Sequence, residues 1–140
     1  MKPGPTERLL PQATPESAHF WEGTKQGELR LQKCASCSHT YFPPQAFCPS
    51  CLSDDVAVVR ASGRGRVYGF NISHLPAPGL KPPFVIAVIE LEEGPRMMSN
   101  IVECAPTPDA VQVDMPVQVV FEKQSDDVHL PLFRPAETAQ

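Results

Sequence analysis

Cys34, Cys37, Cys48 and Cys51 form two Cys-x-x-Cys pairs within CASCSHTYFPPQAFCPSC, separated by a ten-residue excursion. One such turn brings two thiolates onto one ion, and two complete the tetrahedral four-sulfur shell that structural zinc prefers. Iron can substitute in the same donor set. A redox dithiol uses a single pair at a strand-to-helix turn, whereas here there are two, with Pro49 inside the second and strand-like flanks. Four protein sulfurs close the coordination sphere, so no open position remains to polarise a substrate or activate a water, and the expected metal is structural. His39 offers a substitute ligand, but four cysteines already suffice.

The remaining reactive side chains do not assemble into a recognisable catalytic motif. Cys104 ends a strand-like run far from the other cysteines in sequence, and a free cysteine of that kind behaves as a small hydrophobe. A nucleophile needs a positioned base and an oxyanion hole, and His19, His39, His74 and His129 fall in no such pattern. Glu92-Glu93 and Asp126-Asp127 read as solvated turns.

The elements that must position the cysteines follow from local pattern. Residues 28–33 alternate polar and apolar and run directly into Cys34, as a half-buried strand should. Ahead of them, Thr14-Pro15-Glu16 supplies a cap, a first-turn proline and a favourable charge for a helix of about two to three turns. Its stripe is Ala18, Phe20 and Trp21, and Gly23 and Gly27 weaken any continuation. A helix this short is marginal alone, so its aromatic pair must cover a surface of its own domain or of a partner. Beyond the cysteines, 56–62, 65–73, 84–91, 96–102 and 117–123 read as five strands rich in β-branched residues, with a hairpin turn at 92–95 and a Pro-rich loop at 75–83. Strands so spaced suit a small sandwich or barrel.

Composition bounds the function. In 140 residues, 41% are hydrophobic and 20% charged, which suits an ordinary globular chain. Seventeen prolines exclude long helices. No stretch approaches the roughly 20 apolar residues of a membrane span, and the opening MKPGPTERLLPQ lacks a signal-peptide core. A cytoplasmic chain without membrane association is therefore expected, and there cysteines serve metal more readily than disulfides. A net charge of −4 opposes a broad nucleic-acid footprint. The competing reading is a single-stranded nucleic-acid module, since zinc ribbons and OB barrels both occur in such proteins, but no basic run or RNA-binding aromatic motif supports it. Independent hydrolytic catalysis has no residue to support it.

The order of parts is distinctive: Phe20-Trp21-Glu22-Gly23, then Gly27 to Cys34, then the two-knuckle ribbon with Phe42-Pro43-Pro44, then Ser62-Gly63-Arg64-Gly65-Arg66-Val67-Tyr68. From about residue 14 to 134 it resembles the rubredoxin-type zinc-ribbon plus OB-fold family associated with acyl-CoA metabolism. Ser38 departs from the glycine that often follows the first knuckle.

That resemblance implies a mainly β chain with an N-terminal helical extension (1–27), a rubredoxin-like zinc ribbon (28–55), a five-stranded OB-fold barrel (56–135) and a flexible tail (136–140). It also implies an accessory subunit, not an enzyme by itself, required by a thiolase-type acyltransferase or aldolase that acts on carbon–carbon bonds of CoA thioesters. The implied assembly is a heterotetramer with two copies of each chain, with CoA or acyl-CoA as ligand and Zn2+ as structural cofactor. Coenzyme A calls for cations, apolar walls and backbone amides, and the candidates are Arg64, Arg66, Phe70, Lys81 and Phe84. Candidate anchors for the partner are Phe20, Trp21, Tyr41, Phe42, Pro43 and Pro44, since aromatic residues dominate interface hot spots.

Overall fold

The structure, a computed structural model, describes residues 8–136. One helix and eight strands follow in chain order: α1 (Ala18–Lys25), β1 (Arg30–Cys34), β2 (Thr40–Tyr41), β3 (Val56–Arg60), β4 (Arg64–Ser73), β5 (Phe84–Leu91), β6 (Arg96–Ile101), β7 (Pro116–Lys123) and β8 (His129–Pro135). They form a three-stranded sheet, β2-β1-β3, and a closed five-stranded barrel, β4-β5-β6-β8-β7. The chain is mainly β, as its sequence predicts.

α1 begins three residues later than the sequence signals suggest. Thr14 and Ser17 bond to each other instead, the Thr14 amide donating to Ser17 Oγ at 2.9 Å and the Ser17 amide to the Thr14 carbonyl at 3.1 Å. This closes a separate turn ahead of the helix. The other end follows the glycine signal. Gly27 takes φ +77°, its amide donates to the Thr24 carbonyl and that of Glu28 to the Gly23 carbonyl, a Schellman cap that satisfies two otherwise orphaned carbonyls. Gly23 is required for a different reason: a Cβ there would stand 2.6 Å from Arg30 Cδ, where the arginine stem crosses the helix on its way to Glu28.

β5 shows how the barrel is filled. Val85, Ala87, Ile89 and Leu91 are buried while the residues between them are half-exposed, the period of two that a one-sided sheet imposes. Val67, Met97, Ile101, Val117 and Phe133 complete the interior. Phe20, Leu29 and Leu31 belong to the same buried cluster, so α1 and β1 cap the barrel and share its core. Cys34, Tyr41 and Cys48 form a second, small cluster.

Two strand placements differ from expectation. The 56–62 segment does not open the barrel: β3 pairs antiparallel with β1 along its whole length, from Arg30 opposite Arg60 to Cys34 opposite Val56. The fifth barrel strand is β8, whose Pro131 and Pro135 hide it in the sequence. The Phe133 carbonyl accepts from the Val102 amide, so Pro131, two residues earlier, presents the same edge toward β6. The ladder there reaches no further than Ile101 opposite Phe133, so the missing proline N–H costs no strand bond. Of the tail expected from 136, only Ala136 is among the described residues, and its amide donates to the Pro116 carbonyl.

Candidate functional site

The two knuckles are built alike. Each first cysteine, Cys34 or Cys48, accepts through its carbonyl from the amide four residues on, Ser38 at 2.9 Å or Leu52 at 2.8 Å. Each donates its own amide to the carbonyl five residues on, His39 or Ser53. Ser38 and Leu52 accordingly adopt left-handed φ of 64° and 66°, which explains why glycine suits the position and shows that serine meets its geometry. The Ser36 and Ser53 hydroxyls meet at 3.1 Å between the knuckles.

This pairing converges the four sulfurs, all within 4.8 Å of one another. Cys34 Sγ lies 3.5 Å from Cys51 Sγ, and Cys37 Sγ lies 3.6 Å from Cys48 Sγ. A tetrahedral zinc with sulfurs at about 2.3 Å requires sulfur–sulfur separations of about 3.8 Å, so the donor set fits that ion. Cys34 and Cys48 are fully buried and Cys37 and Cys51 are exposed. The amides of Cys37 and Ser50 point at the buried sulfurs, at 3.5 and 3.4 Å. The Cys37 amide is the largest cause of a Cys34 thiol pKa lowered to about 7, and Cys48 is lowered too, while Cys37 and Cys51 are held up.

The excursion between the knuckles is pinned to β1. Gln32 is buried, and its Oε1 accepts from the Gln45 amide at 2.7 Å, while Tyr41 donates its hydroxyl to the Gln45 carbonyl at 3.1 Å. Tyr41 is therefore a wall of the cysteine cluster, and its expected role as a partner anchor is corrected. Phe20 is likewise corrected, being 2% exposed, with its ring 5.0 Å from Trp21 and 5.2 Å from Phe42. Trp21, Phe42 and Pro44 are half-buried and Pro43 is exposed. These four do line one groove with Met98 and Leu130.

The candidate CoA residues do not form one surface. Arg66 stands opposite Glu90 at one end of the β4–β5 pair, and Phe84 opposite Ser73 at the other. Seven residues of strand separate them, about 23 Å. Arg64 is bound by Glu92 at 3.0 Å, and Arg66 by Glu90 at 2.6 Å and Asp114 at 3.4 Å. Hydrogen bonds from Arg66 and then Arg96 hold the Glu90 carboxyl below its ordinary range. Phe70 lies opposite Ala87 and packs against the core. Phe84, by contrast, lines a pocket of about 470 Å³ with Gly79 and Leu80 of the Pro-rich loop, Asn100, Gln124 and Arg8. Arg8 donates to Asn100 Oδ1 at 2.9 Å. Lys81 is exposed in that same loop. No motif in the Pro-rich lead pointed to Arg8.

Two expectations about charge also resolve. Glu92 and Glu93 are latches, accepting from the Ser62 hydroxyl at 2.8 Å and the Ser62 amide at 2.7 Å, which ties the chain leaving the ribbon to the β5–β6 turn. Arg30, Arg60, Arg96, Arg134, Lys25 and Lys123 each pair with a carboxylate as well, leaving no continuous basic stripe among the described residues of the kind a nucleic acid needs. Burial pushes the Cys104 thiol pKa up, the opposite of what a nucleophile requires. No helix among the described residues is long and apolar enough to cross a membrane.

A zinc ribbon leading into an OB barrel is the class that this fold and cysteine site define. Residues 21–57 match the model of the ChsH2 rubredoxin-like zinc ribbon domain, and residues 58–122 that of the ChsH2 C-terminal OB-fold domain. The chain is 32% identical over 116 residues to a DUF35 domain-containing scaffold protein of Methanothermobacter thermautotrophicus, spanning 80% of this chain and 86% of that one. It belongs to this DUF35, ChsH2-type family. It is also 38% identical to a probable enoyl-CoA hydratase alpha subunit of Thermomonospora curvata, over 92% of this chain but only 40% of that protein's length. Among solved structures, a chain of an Ltp2-ChsH2(DUF35) aldolase matches with a TM-score of 0.81 and 37% identity, covering 90% of this chain and 98% of that one.

Proposed function

We propose that this chain is a non-catalytic accessory subunit of an enzyme that makes or breaks carbon–carbon bonds in CoA thioesters, with the catalytic residues on a thiolase-like partner. The observation that carries this reading is the likeness, over 90% of this chain and 98% of that one, to a chain of an Ltp2-ChsH2(DUF35) aldolase. The scaffold and hydratase-subunit relatives support it. Cys34, Cys37, Cys48 and Cys51 hold one structural Zn2+, which staples a segment too small to fold on its own packing. The assembly contains two copies of each chain and works in the cytoplasm, where the four thiols stay reduced.

Acyl-CoA meets this chain at the barrel end where Phe84 and the Lys81 loop converge. An apolar wall at Phe84 and the exposed Lys81 in the adjoining loop are what pantetheine and phosphate require, and Glu122 at the far side of the pocket would turn the phosphates toward Lys81. Arg64 and Arg66 are already neutralised by carboxylates and belong to the opposite end.

The test is gentle purification of the tagged chain from its native host, with mass spectrometry of whatever remains bound at matching stoichiometry. A thiolase-like protein at one copy per chain is the expected result. Recovery of the chain alone, or with nucleic acid, defeats the proposal.

A further inference from the structure

We infer that the groove between α1, the knuckle excursion and the barrel seats an apolar segment of the catalytic partner that carries a carboxylate, with that carboxylate meeting Arg8. The inference rests on the accessory role proposed above. The groove, about 370 Å³, is walled by Trp21, Phe42, Pro43, Pro44, Met98 and Leu130, with Arg8 at its polar edge beside Asn100. It lies where β8 stands apart from β6 ahead of their single pairing, Ile101 with Phe133, and aromatic residues of the helix and ribbon line the opening.

Charge selects the occupant. In a chain of net charge −4, the described residues that line the groove include one cation and no carboxylate. Among the described residues, the polar partner of Arg8 is the neutral Asn100 amide, whereas arginines elsewhere on the surface are bound by acids. Shape selects a macromolecule over an acyl chain. Small-molecule sites enclose most of their ligand, but this groove lies open, with Met98 71% exposed at its rim. Aromatic, methionine and arginine side chains around an apolar centre are the composition of interface hot spots.

Photo-cross-linking in the assembled complex tests this. A Met98→p-benzoyl-Phe chain is expressed in the native host, with an Arg64→p-benzoyl-Phe chain as control, and adducts are sequenced by mass spectrometry. The expected adduct joins position 98 to an apolar segment of the catalytic partner with an Asp or Glu within a few residues. Arg8→Glu should then raise the Kd of the complex about tenfold, and changing that acid to Lys on the partner should restore much of it. Positions 8, 64 and 98 all lie outside the buried core, so folding and zinc content should be unchanged. If the partner co-purifies but position 98 gives no adduct, cross-links to a second copy of this chain, or reaches a segment without an acid, the groove assignment fails while the accessory role stands. If no partner is recovered at all, both fail.

Discussion

Cys34 and Cys51, seventeen residues apart in the chain, bring their sulfurs to 3.5 Å across the two knuckles. Neither knuckle could achieve this alone, because each fixes only its own pair. What aligns them is the sheet, since β1 delivers Cys34 and its partner β3 begins at Val56, just past the second knuckle.

The purified chain should therefore carry one zinc per molecule by elemental analysis. Cys48→Ser should lower bound zinc roughly tenfold or more and expose the ribbon, because metal binding there supplies folding free energy. Amide exchange should quicken across β1 and β3 while β5, flanked by β4 and β6, stays protected. Full zinc occupancy in the serine variant would defeat the four-sulfur assignment.

Gln32→Ala should destabilise the fold by about 1–3 kcal/mol, since it removes the acceptor for the Gln45 amide and leaves that donor unpaired. Denaturant unfolding measures the loss. An unchanged midpoint would mean that the excursion is held by Tyr41 and the metal alone.

The cysteine site was legible in the sequence because its signal is local: spacing within a knuckle decides which sulfurs can meet. Strand identity was legible for the same reason, but strand partnership was not. Val56–Arg60 has the same pattern whether it pairs with β1 or opens a barrel, and only the whole fold chooses. β8 was hidden by Pro131, whose lack of an N–H is harmless only because β6 does not pair at that point. The CoA candidates divide between two ends of one strand pair, which the sequence could not show because register was invisible: Arg66 and Phe84 frame the same two strands from opposite ends. Phe20 and Trp21, adjacent in sequence, share one pattern there, and only the helix phase separates the buried ring from the half-buried one.

Stability should fall as the solution is acidified, with His19 contributing to the slope. Its Nε2 is buried without a hydrogen-bond partner among the described residues, and burial, followed by the nearby Arg30 charge, lowers its pKa. Glu28, bound to Arg30, offsets part of that charge. A histidine kept neutral in the fold binds its proton more readily in the unfolded chain. Its contribution is complete above about pH 6.5 and is lost as pH falls from there toward the lower folded value. His19→Leu should flatten the dependence of the melting temperature between pH 7.5 and 5. An identical slope in both proteins would remove His19 from the account.

Gly63→Ala should cost about 1–3 kcal/mol, because the residue holds φ +81° and a Cβ there would stand 2.5 Å from Val119 Cγ1. The Gly63 carbonyl accepts from the Val119 amide, so strain at this joint would loosen the start of β4 where the ribbon passes into the barrel. Thermal unfolding should show the loss with zinc content unaltered. A variant as stable as the parent would show that β7 yields there.

The adjacent aromatics should separate cleanly under substitution. Phe20→Ala removes a core ring that is 2% exposed and should cost about 3–5 kcal/mol. Trp21 packs on Phe20 from the groove side, so Trp21→Ala should cost much less stability. If Trp21 is an anchor for the catalytic partner, its loss should weaken that complex by about 2 kcal/mol or more, a penalty that Phe20→Ala reaches only through unfolding. Denaturant curves paired with affinity measurements on the purified complex distinguish the two effects. Equal stability losses with unchanged affinity for Trp21→Ala would make both residues core, and the interface would have to lie on another face.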